Sequence, residues 1–279
     1  MLDAIKFEHT VFALPFAYIA MVLAAGGWPG GRTLGWVTAA MVGARTCAMA
    51  TNRVVDRLID ARNPRTAGRH LPTGALAVWE LRLLAAAGAA LMFLAAFMLN
   101  PLCLALAPLA LVWVTAYSLS KRFTWWPHLW LGLSLAIAPV GGYLAVAGRW
   151  SAPAWLLVVI ALGVAAWVAG FDIFYALPDE QFDRAAGLRS AVVRLGERRS
   201  LLLAKLLHGV TIPALALFGW GAGFGWWYYA GLLAAAGILA WEHHLVRPGD
   251  LSRLNAAFFT MNGVMSVTVF AFALLDRVM

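Results

Sequence analysis

Apolar stretches of about 20 residues recur along the whole chain and are separated by short polar segments. A helix of about 20 apolar residues is long enough to span the hydrocarbon core of a bilayer. The 279 residues are 63% apolar and 12% charged, whereas about a quarter of the residues in a soluble domain are charged. Residues 83–99 and 155–168 are apolar at consecutive positions, unlike the alternating pattern of a transmembrane strand. The sequence therefore predicts an all-α integral membrane protein with a single domain over residues 1–279.

The apolar pattern and the basic residues together predict a topology. We place nine transmembrane helices at residues 10–27, 33–55, 80–99, 101–118, 128–147, 152–175, 200–220, 224–242 and 256–275. Of the 21 Lys and Arg residues, 17 lie in the N-terminal segment and after spans 2, 4, 6 and 8. The positive-inside rule then puts the N-terminus in the cytoplasm and the C-terminus across the inner (plasma) membrane. This bias explains the net charge of +8 without nucleic acid as a partner.

Six of the 13 acidic residues fall in two clusters at the predicted cytoplasmic ends of spans 2 and 6. Asn52, Asp56 and Asp60 are spaced i, i+4, i+8, and Asp179 and Asp183 are spaced i, i+4, so each set lies on one helical face. Like charges at this spacing destabilise a helix unless a cation compensates them. Mg2+ binds carboxylate oxygens together with water and substrate phosphate. We expect the four aspartates to bind Mg2+.

Basic residues accompany both acid clusters and a third segment on the same side. Guanidinium groups bind phosphate with two-point geometry, so carboxylates together with arginines indicate a metal-bridged phosphate rather than a simple cation site. Ordinary solvated loop polarity is the alternative interpretation. The candidate phosphate-binding residues are Arg65, Arg69, Lys121 and Arg189.

Arg45 lies seven residues before Asn52, two helical turns deeper in span 2. An arginine inside a membrane is costly, so we expect it to face a cavity and bind an anion. The structural alternative is pairing with an acid on a neighbouring helix or with backbone carbonyls.

Three motifs occur in order along the chain, and they resemble those of the UbiA superfamily of membrane prenyltransferases. The motifs are N-R-x-x-D-x-x-x-D from Asn52 to Asp60 with R-T-A-x-R-x-L-P-x-G from Arg65 to Gly74, Y-x-x-x-K from Tyr117 to Lys121, and D-x-x-x-D from Asp179 to Asp183 with G-L-R-S from Gly187 to Ser190. The resemblance covers almost the whole chain. It implies nine helices around a central cavity, with the aspartate motifs at the polar end and one flank open to lipid.

Arg53 stands where the family's first motif usually has Asp, so one potential metal ligand is absent and the number of Mg2+ ions stays open. With the segment from Lys6 to Phe16, this variant resembles the branch called putative 4-hydroxybenzoate polyprenyltransferase. The resemblance implies a polyprenyl diphosphate donor and a hydroxylated aromatic acid acceptor, either 4-hydroxybenzoate or 1,4-dihydroxy-6-naphthoate, in ubiquinone or menaquinone biosynthesis. We assign Arg45 and Asn52 to the acceptor end.

Other functions compete with this interpretation. A superfamily member could instead prenylate haem, chlorophyllide or homogentisate. A cation-coupled transporter would place its acids near the bilayer midplane, between broken helices in matching repeats, whereas these acids lie at one end of the spans. A CDP-alcohol phosphotransferase also uses magnesium, but its D-G-x-x-A-R arrangement is absent.

Overall fold

The computed structural model describes residues 12–279, and the regular elements in that range are helical. Residues 1–11, which include the start of the first predicted span and most of the segment from Lys6 to Phe16, lie outside the described residues. Nine helices of 12 to 25 residues follow one another in the described range. They are α1 (Leu14–Ala25), α2 (Gly31–Val55), α3 (Val78–Leu99), α4 (Pro101–Ala116), α5 (Pro127–Ala147), α6 (Ala154–Ala176), α7 (Glu197–Gly221), α8 (Trp226–Leu245) and α9 (Asn262–Val278).

Every predicted span overlaps one of these helices, and the chain is a multi-pass membrane protein. Within residues 12–279, six helical segments are long and apolar enough to cross a bilayer: Val78–Leu99, Pro101–Phe123, Pro127–Ala147, Ala154–Ala185, Glu197–Gly221 and Ala256–Val278. α1 is apolar but only 12 residues long. α2 contains three arginines, which lower its mean hydropathy. The count of nine crossings therefore stays a prediction.

Glycines bring α2 and α3 into close contact. A Cβ atom on Gly43 would lie 2.6 Å from the carbonyl oxygen of Gly88, and one on Gly88 would lie 2.7 Å from the carbonyl oxygen of Gly43. Small residues at such a crossing allow the backbones of membrane helices to approach each other. This crossing fixes α2, the helix that leads into the first acid cluster, against α3.

α6 is the central helix of the bundle. It packs between α5 and α7, while α1 packs against α5 and α9. Trp167 and most of its helix are buried. A helix that is apolar on nearly every face suits either a protein core or a membrane, and the burial of α6 between its neighbours places it in the core of this bundle. This central position brings the second acid cluster, at the end of α6, close to the ends of α2 and α4.

The three motif-bearing helices change their winding near the motifs. The helix kinks at Asp56, where ψ is 6°, but the amide of Asp60 still donates to the carbonyl of Asp56 at 2.8 Å. α6 continues through a 3₁₀ turn at Leu177–Asp179 into a short helix at Glu180–Ala185. α4 likewise continues through a 3₁₀ turn at Tyr117–Leu119. Such tightened turns within a helix often mark functional sites. The predicted helical spacing of the acids is kept through these breaks.

A buried polar network ties together the C-terminal half. Asn262 accepts a hydrogen bond from Nε1 of Trp167 at 2.6 Å and donates to Glu242 at 2.7 Å. It also donates to the carbonyl of Phe258, at 3.1 Å, in a π-helical turn at Ala256–Met261. Asn262 makes several buried hydrogen bonds, and these fix the packing of the helices around it, although Oε2 of Glu242 has no hydrogen-bond partner among the described residues. Phe258 lines the polar cavity described below, so the network helps to position one wall of that cavity.

Candidate active site

A polar cavity of about 190 Å³ lies where α2, α4 and α6 end. Among the described residues, five carboxylates and five Lys or Arg side chains line it: Asp56, Asp60, Asp172, Asp179 and Asp183, with Arg45, Arg53, Arg65, Arg69 and Lys121. The formal charges of this described lining therefore balance. A diphosphate entering the cavity would bring an excess of negative charge, which a divalent cation entering with it would offset.

Asp179 accepts hydrogen bonds from two residues of the loop that follows the first motif. Its carboxylate accepts from Nδ2 of Asn63 at 2.9 Å, from Nε of Arg65 at 2.8 Å, and from Nη2 of Arg65. The Arg65 guanidinium also lies 4.8 Å from the centre of the Tyr175 ring. Burial lowers the pKa of Arg65, but the hydrogen bond and charge of Asp179, together with the contact to Tyr175, outweigh burial, and the net shift is upward. This two-point contact joins the loop to the end of α6.

The other aspartates of the two motifs are also paired with cations. Nη1 of Arg69 donates to both oxygens of Asp60, at 2.7 and 2.9 Å. Nζ of Lys121 donates to Asp183 at 2.8 Å. Each carboxylate thus has a cationic partner that lies outside its own acid pair.

Asp56 is held from two directions. Nδ2 of Asn52 donates to Oδ2 at 2.9 Å, and Nη2 of Arg122 donates to Oδ1 at 2.8 Å. Burial raises the pKa of the Asp56 carboxyl above its ordinary value, and the hydrogen bond from Arg122 offsets only part of that rise. Asn52 therefore contacts the acidic end of the polar cavity.

A second, apolar cavity of about 290 Å³ joins the polar one. Six residues line both cavities: Arg45, Met49, Asn52, Tyr117, Leu131 and Leu135. The rest of its lining is almost wholly apolar and comes mainly from α2 to α5. Leu106 of α4 lines it and is 40% exposed. The two cavities together match a ligand with a charged head and a long apolar tail.

The structure brings nine of the ten predicted site residues together and leaves Arg189 outside. Nη1 of Arg189 donates to the carbonyl oxygen of Phe123 at 2.8 Å, and its guanidinium lies 5.6 Å from the centre of the Trp125 ring. It does not line either cavity. Its predicted contact with phosphate therefore has no support from this geometry.

Several cavity residues were not predicted from the sequence. His128 and Asp172 form a buried pair, with Nδ1 of the histidine 2.6 Å from Oδ2 of the aspartate. An acid inside an apolar span is a functional signal, so Asp172 could have been assigned. A single histidine at the start of a span gives no such signal. The roles of Asn63 and Tyr175 depend on contacts with Asp179 and Arg65, which no sequence pattern indicates.

The lining fits a metal that binds together with a substrate phosphate. Within the described part of the chain, no three His, Cys, Asp or Glu residues form a group that could hold a metal ion. Mg2+ commonly uses only one or two carboxylates and takes its remaining ligands from water and phosphate. The carboxylates of Asp56, Asp60, Asp179 and Asp183 supply suitable oxygen ligands, whereas a complete protein cage is not formed.

Comparison with known proteins gives consistent matches over most of the chain. The model of the UbiA prenyltransferase family matches residues 13–264. The 4-hydroxybenzoate octaprenyltransferases of Coxiella burnetii and Cupriavidus metallidurans are each 32% identical to this chain, over 88% and 90% of it and 84% of each relative.

Solved structures give the same result. The apo structure of a UbiA homolog from Aeropyrum pernix K1 has a TM-score of 0.87 and 31% identity, covering 96% of this chain and 98% of that one. A UbiA homolog from Archaeoglobus fulgidus bound to GPP and Mg2+ has a TM-score of 0.72 and 20% identity, covering 100% and 99%. At that identity the second comparison shows the shared fold alone.

Proposed function

The chain belongs to the UbiA prenyltransferase family and is a prenyl-transferring membrane enzyme, and we propose that it moves a polyprenyl group from an allylic diphosphate to the ring of a hydroxylated aromatic acid. The proposed acceptor is 4-hydroxybenzoate or the related 1,4-dihydroxy-6-naphthoate, in quinone biosynthesis. The observation that supports this most strongly is the junction of the charged and apolar cavities at Arg45, Asn52 and Tyr117.

The polar cavity is suited to the diphosphate of the donor. Arg65, Arg69 and Lys121 are the basic groups that would bind its oxygens. Each of them is paired with an aspartate, so phosphate binding requires these pairs to exchange partners. The apolar cavity would hold the isoprenoid tail, and an opening to lipid between its helices would let surplus isoprene units remain in the bilayer at little cost.

Metal binding is proposed at the four aspartates of the two motifs. Mg2+ bound there with the donor would neutralise negative charge that develops on the departing diphosphate. Arg65, Arg69 and Lys121 add preorganised positive charge at the same place. The C–O bond of the donor then breaks with its electron pair leaving on the diphosphate, and the apolar walls keep water from the allylic cation.

The acceptor is proposed to lie at the junction. Arg45, in the middle of α2, would form a two-point contact with the acceptor carboxylate, and Asn52 would lie about two turns closer to the acids. This orientation presents a ring carbon next to the hydroxyl to the allylic carbon. The ring electrons form the new C–C bond, and loss of a ring proton restores aromaticity.

We place the acidic end at the cytoplasmic face of the inner (plasma) membrane. Support comes from the basic residues that follow α2, α4 and α6. With nine crossings, the C-terminus would lie on the opposite side. A reporter fused to the C-terminus and active only outside the cytoplasm tests this orientation.

The function is tested with purified protein in lipid nanodiscs, a prenyl diphosphate, Mg2+ and one aromatic acid at a time. Mass spectrometry should detect a ring-prenylated 4-hydroxybenzoate or 1,4-dihydroxy-6-naphthoate, and the product should disappear with EDTA or in Asp56→Ala. Glu180→Gln, which alters an ion pair outside the cavity, is the matched control. Transfer to homogentisate alone, or undiminished transfer in EDTA, would contradict the proposed acceptor or the metal assignment, respectively.

A further inference from the structure

A buried histidine–carboxylate pair lines the polar cavity and has no role in the steps above. His128 lies in the first turn of α5 and Asp172 lies in α6. Nδ1 of His128 is 2.6 Å from Oδ2 of Asp172, and the two side chains are 2% and 10% exposed. A pair this short and this well buried fixes the orientation of the imidazole ring.

The pairing determines which ring nitrogen is available. A carboxylate accepts hydrogen bonds, so Nδ1 bears the proton and Nε2 of the neutral imidazole has the free lone pair. Among the described residues, Nε2 of His128 is buried and has no hydrogen-bond partner. Buried polar atoms in folded proteins nearly always have a partner, and His128 is one of the residues that line the polar cavity, so its unsatisfied Nε2 points to a ligand.

The position of His128 brings it close to the proposed acceptor. Leu131 and Leu135 follow it by three and seven residues along α5, on the same helical face, and both line the two cavities. His128 itself lines only the polar cavity. It therefore lies on the α5 face that leads to the junction, where the aromatic ring would meet the allylic carbon.

We propose that Nε2 of His128 is the base that removes the ring proton after the prenyl group has joined the acceptor, with Asp172 as its positioning residue. This inference rests on the proposed function. The C–H electron pair returns to the ring and restores aromaticity, while the proton passes to Nε2. The carboxylate of Asp172 stabilises the imidazolium, which then releases the proton to solvent. The products are the prenylated acid, diphosphate and one proton.

The aspartates of the two motifs are less suited to this role. Asp56, Asp60, Asp179 and Asp183 each accept a hydrogen bond from an Arg or Lys side chain. They are also the proposed metal ligands, so their oxygen lone pairs would already be engaged when the ring proton is lost. A histidine has proton affinity closer to that required near neutral pH. In catalytic triads, too, a carboxylate accepts a hydrogen bond from Nδ1 of the histidine and leaves Nε2 to act as the base.

The test uses ring-deuterated acceptor with wild type, His128→Asn, Asp172→Asn and the control His244→Asn. His244 is exposed, lines neither cavity and contacts Arg247. Wild type and the control should show no primary deuterium isotope effect, because ring proton loss is fast. His128→Asn should lower kcat by about 10²- to 10⁴-fold, leave the KM for the prenyl diphosphate unchanged, and show a primary isotope effect.

Asp172→Asn is the second variant, and it keeps the test decisive if His128→Asn fails to fold. The amide of Asn can donate a hydrogen bond to Nδ1, which favours the tautomer with the proton on Nε2. Loss of the ring proton should then become slow, and a primary isotope effect should appear. Thermal stabilisation by prenyl diphosphate reports which variants are folded. Full kcat in His128→Asn, or reduced kcat in either folded variant without an isotope effect, would overturn the inference. A wild type that transfers the prenyl group to neither acid would instead refute the proposed function, and this inference with it.

Discussion

Replacing Asp60 with asparagine should strengthen diphosphate binding in the absence of metal while weakening metal-dependent turnover. Both oxygens of Asp60 accept from Nη1 of Arg69, at 2.7 and 2.9 Å. A prenyl diphosphate must compete with this carboxylate for the guanidinium. Asp60→Asn removes the negative charge that holds Arg69 but keeps the size and shape of the side chain.

The size of the effect follows from the exposure of the pair. A hydrogen bond to a charged group contributes about 1.5–3 kcal/mol when buried. The Asp60 side chain is 8% exposed and the Arg69 side chain 24%, so solvent screening reduces the contribution to about 1–2 kcal/mol. Since 1.4 kcal/mol corresponds to tenfold in an equilibrium constant, the Kd for prenyl diphosphate in EDTA should fall by about 5- to 30-fold.

The assay is equilibrium binding of labelled farnesyl diphosphate to purified protein in nanodiscs, once with EDTA and once with Mg2+. Glu180→Gln is the matched control, because its carboxylate pairs with Arg184 at 2.8 Å but does not line the cavity. The control should bind as the wild type does. In Mg2+, Asp60→Asn should lose most of its turnover because a proposed metal ligand is gone. An unchanged or weaker affinity of Asp60→Asn in EDTA would refute the idea that the ion pair competes with phosphate.

Three further predictions follow from individual contacts. Arg45→Met should raise the KM for the aromatic acid by about 10- to 100-fold, because a charge-assisted contact with the carboxylate is lost. The KM for prenyl diphosphate should stay nearly unchanged. A rise in the KM for prenyl diphosphate alone would place Arg45 at the phosphate. Arg189→Ala should leave the KM for prenyl diphosphate close to that of the wild type, since its guanidinium does not line the cavity, and a large increase in steady-state assays would contradict this. Asn262→Ala should lower the free energy of unfolding by about 1–2 kcal/mol, because Trp167 and Glu242 lose their buried partner. Thermal unfolding followed by tryptophan fluorescence measures this loss. An unchanged unfolding midpoint would contradict a stabilising role for the network.

The helices were predictable because local features define them. The span predicted at 128–147 is α5 (Pro127–Ala147), which begins at a proline and ends before Gly148 in the left-handed conformation, with φ of 64°. α4 begins after Asn100, whose side chain accepts from the amide of Cys103 at 2.9 Å. Proline in the first turn and a side-chain cap are signals that a sequence displays directly. The number of membrane crossings does not follow from the sequence in the same way, because α2 contains arginines whose depth depends on the cavity that they face.

The partners of the charged residues were not predictable, because they join segments distant in the chain. The i, i+4 spacing of Asp179 and Asp183 predicted that the two carboxylates lie on one helical face and, with Asp56 and Asp60, bind Mg2+. In the structure, Asp179 pairs with Arg65 and Asp183 pairs with Lys121, 114 and 62 residues away, respectively. Spacing along a helix indicates which side chains share a face, but it contains no information about which other helix end lies opposite. The contact between His128 and Asp172 was not predictable for the same reason, because the two residues lie on different helices.

These cross-segment pairs give a physical reason for metal and diphosphate to bind together. With no ligand, Arg65, Arg69 and Lys121 neutralise the carboxylates that a metal would use. Under the proposed function, a diphosphate that takes these cations leaves Asp179, Asp60 and Asp183 without partners, and a divalent cation then compensates them. A metal that binds first has the converse effect, because it releases the cations for phosphate. Coupling of two binding free energies is reciprocal by thermodynamic necessity, so each ligand should strengthen the other, and removing one carboxylate should weaken that coupling.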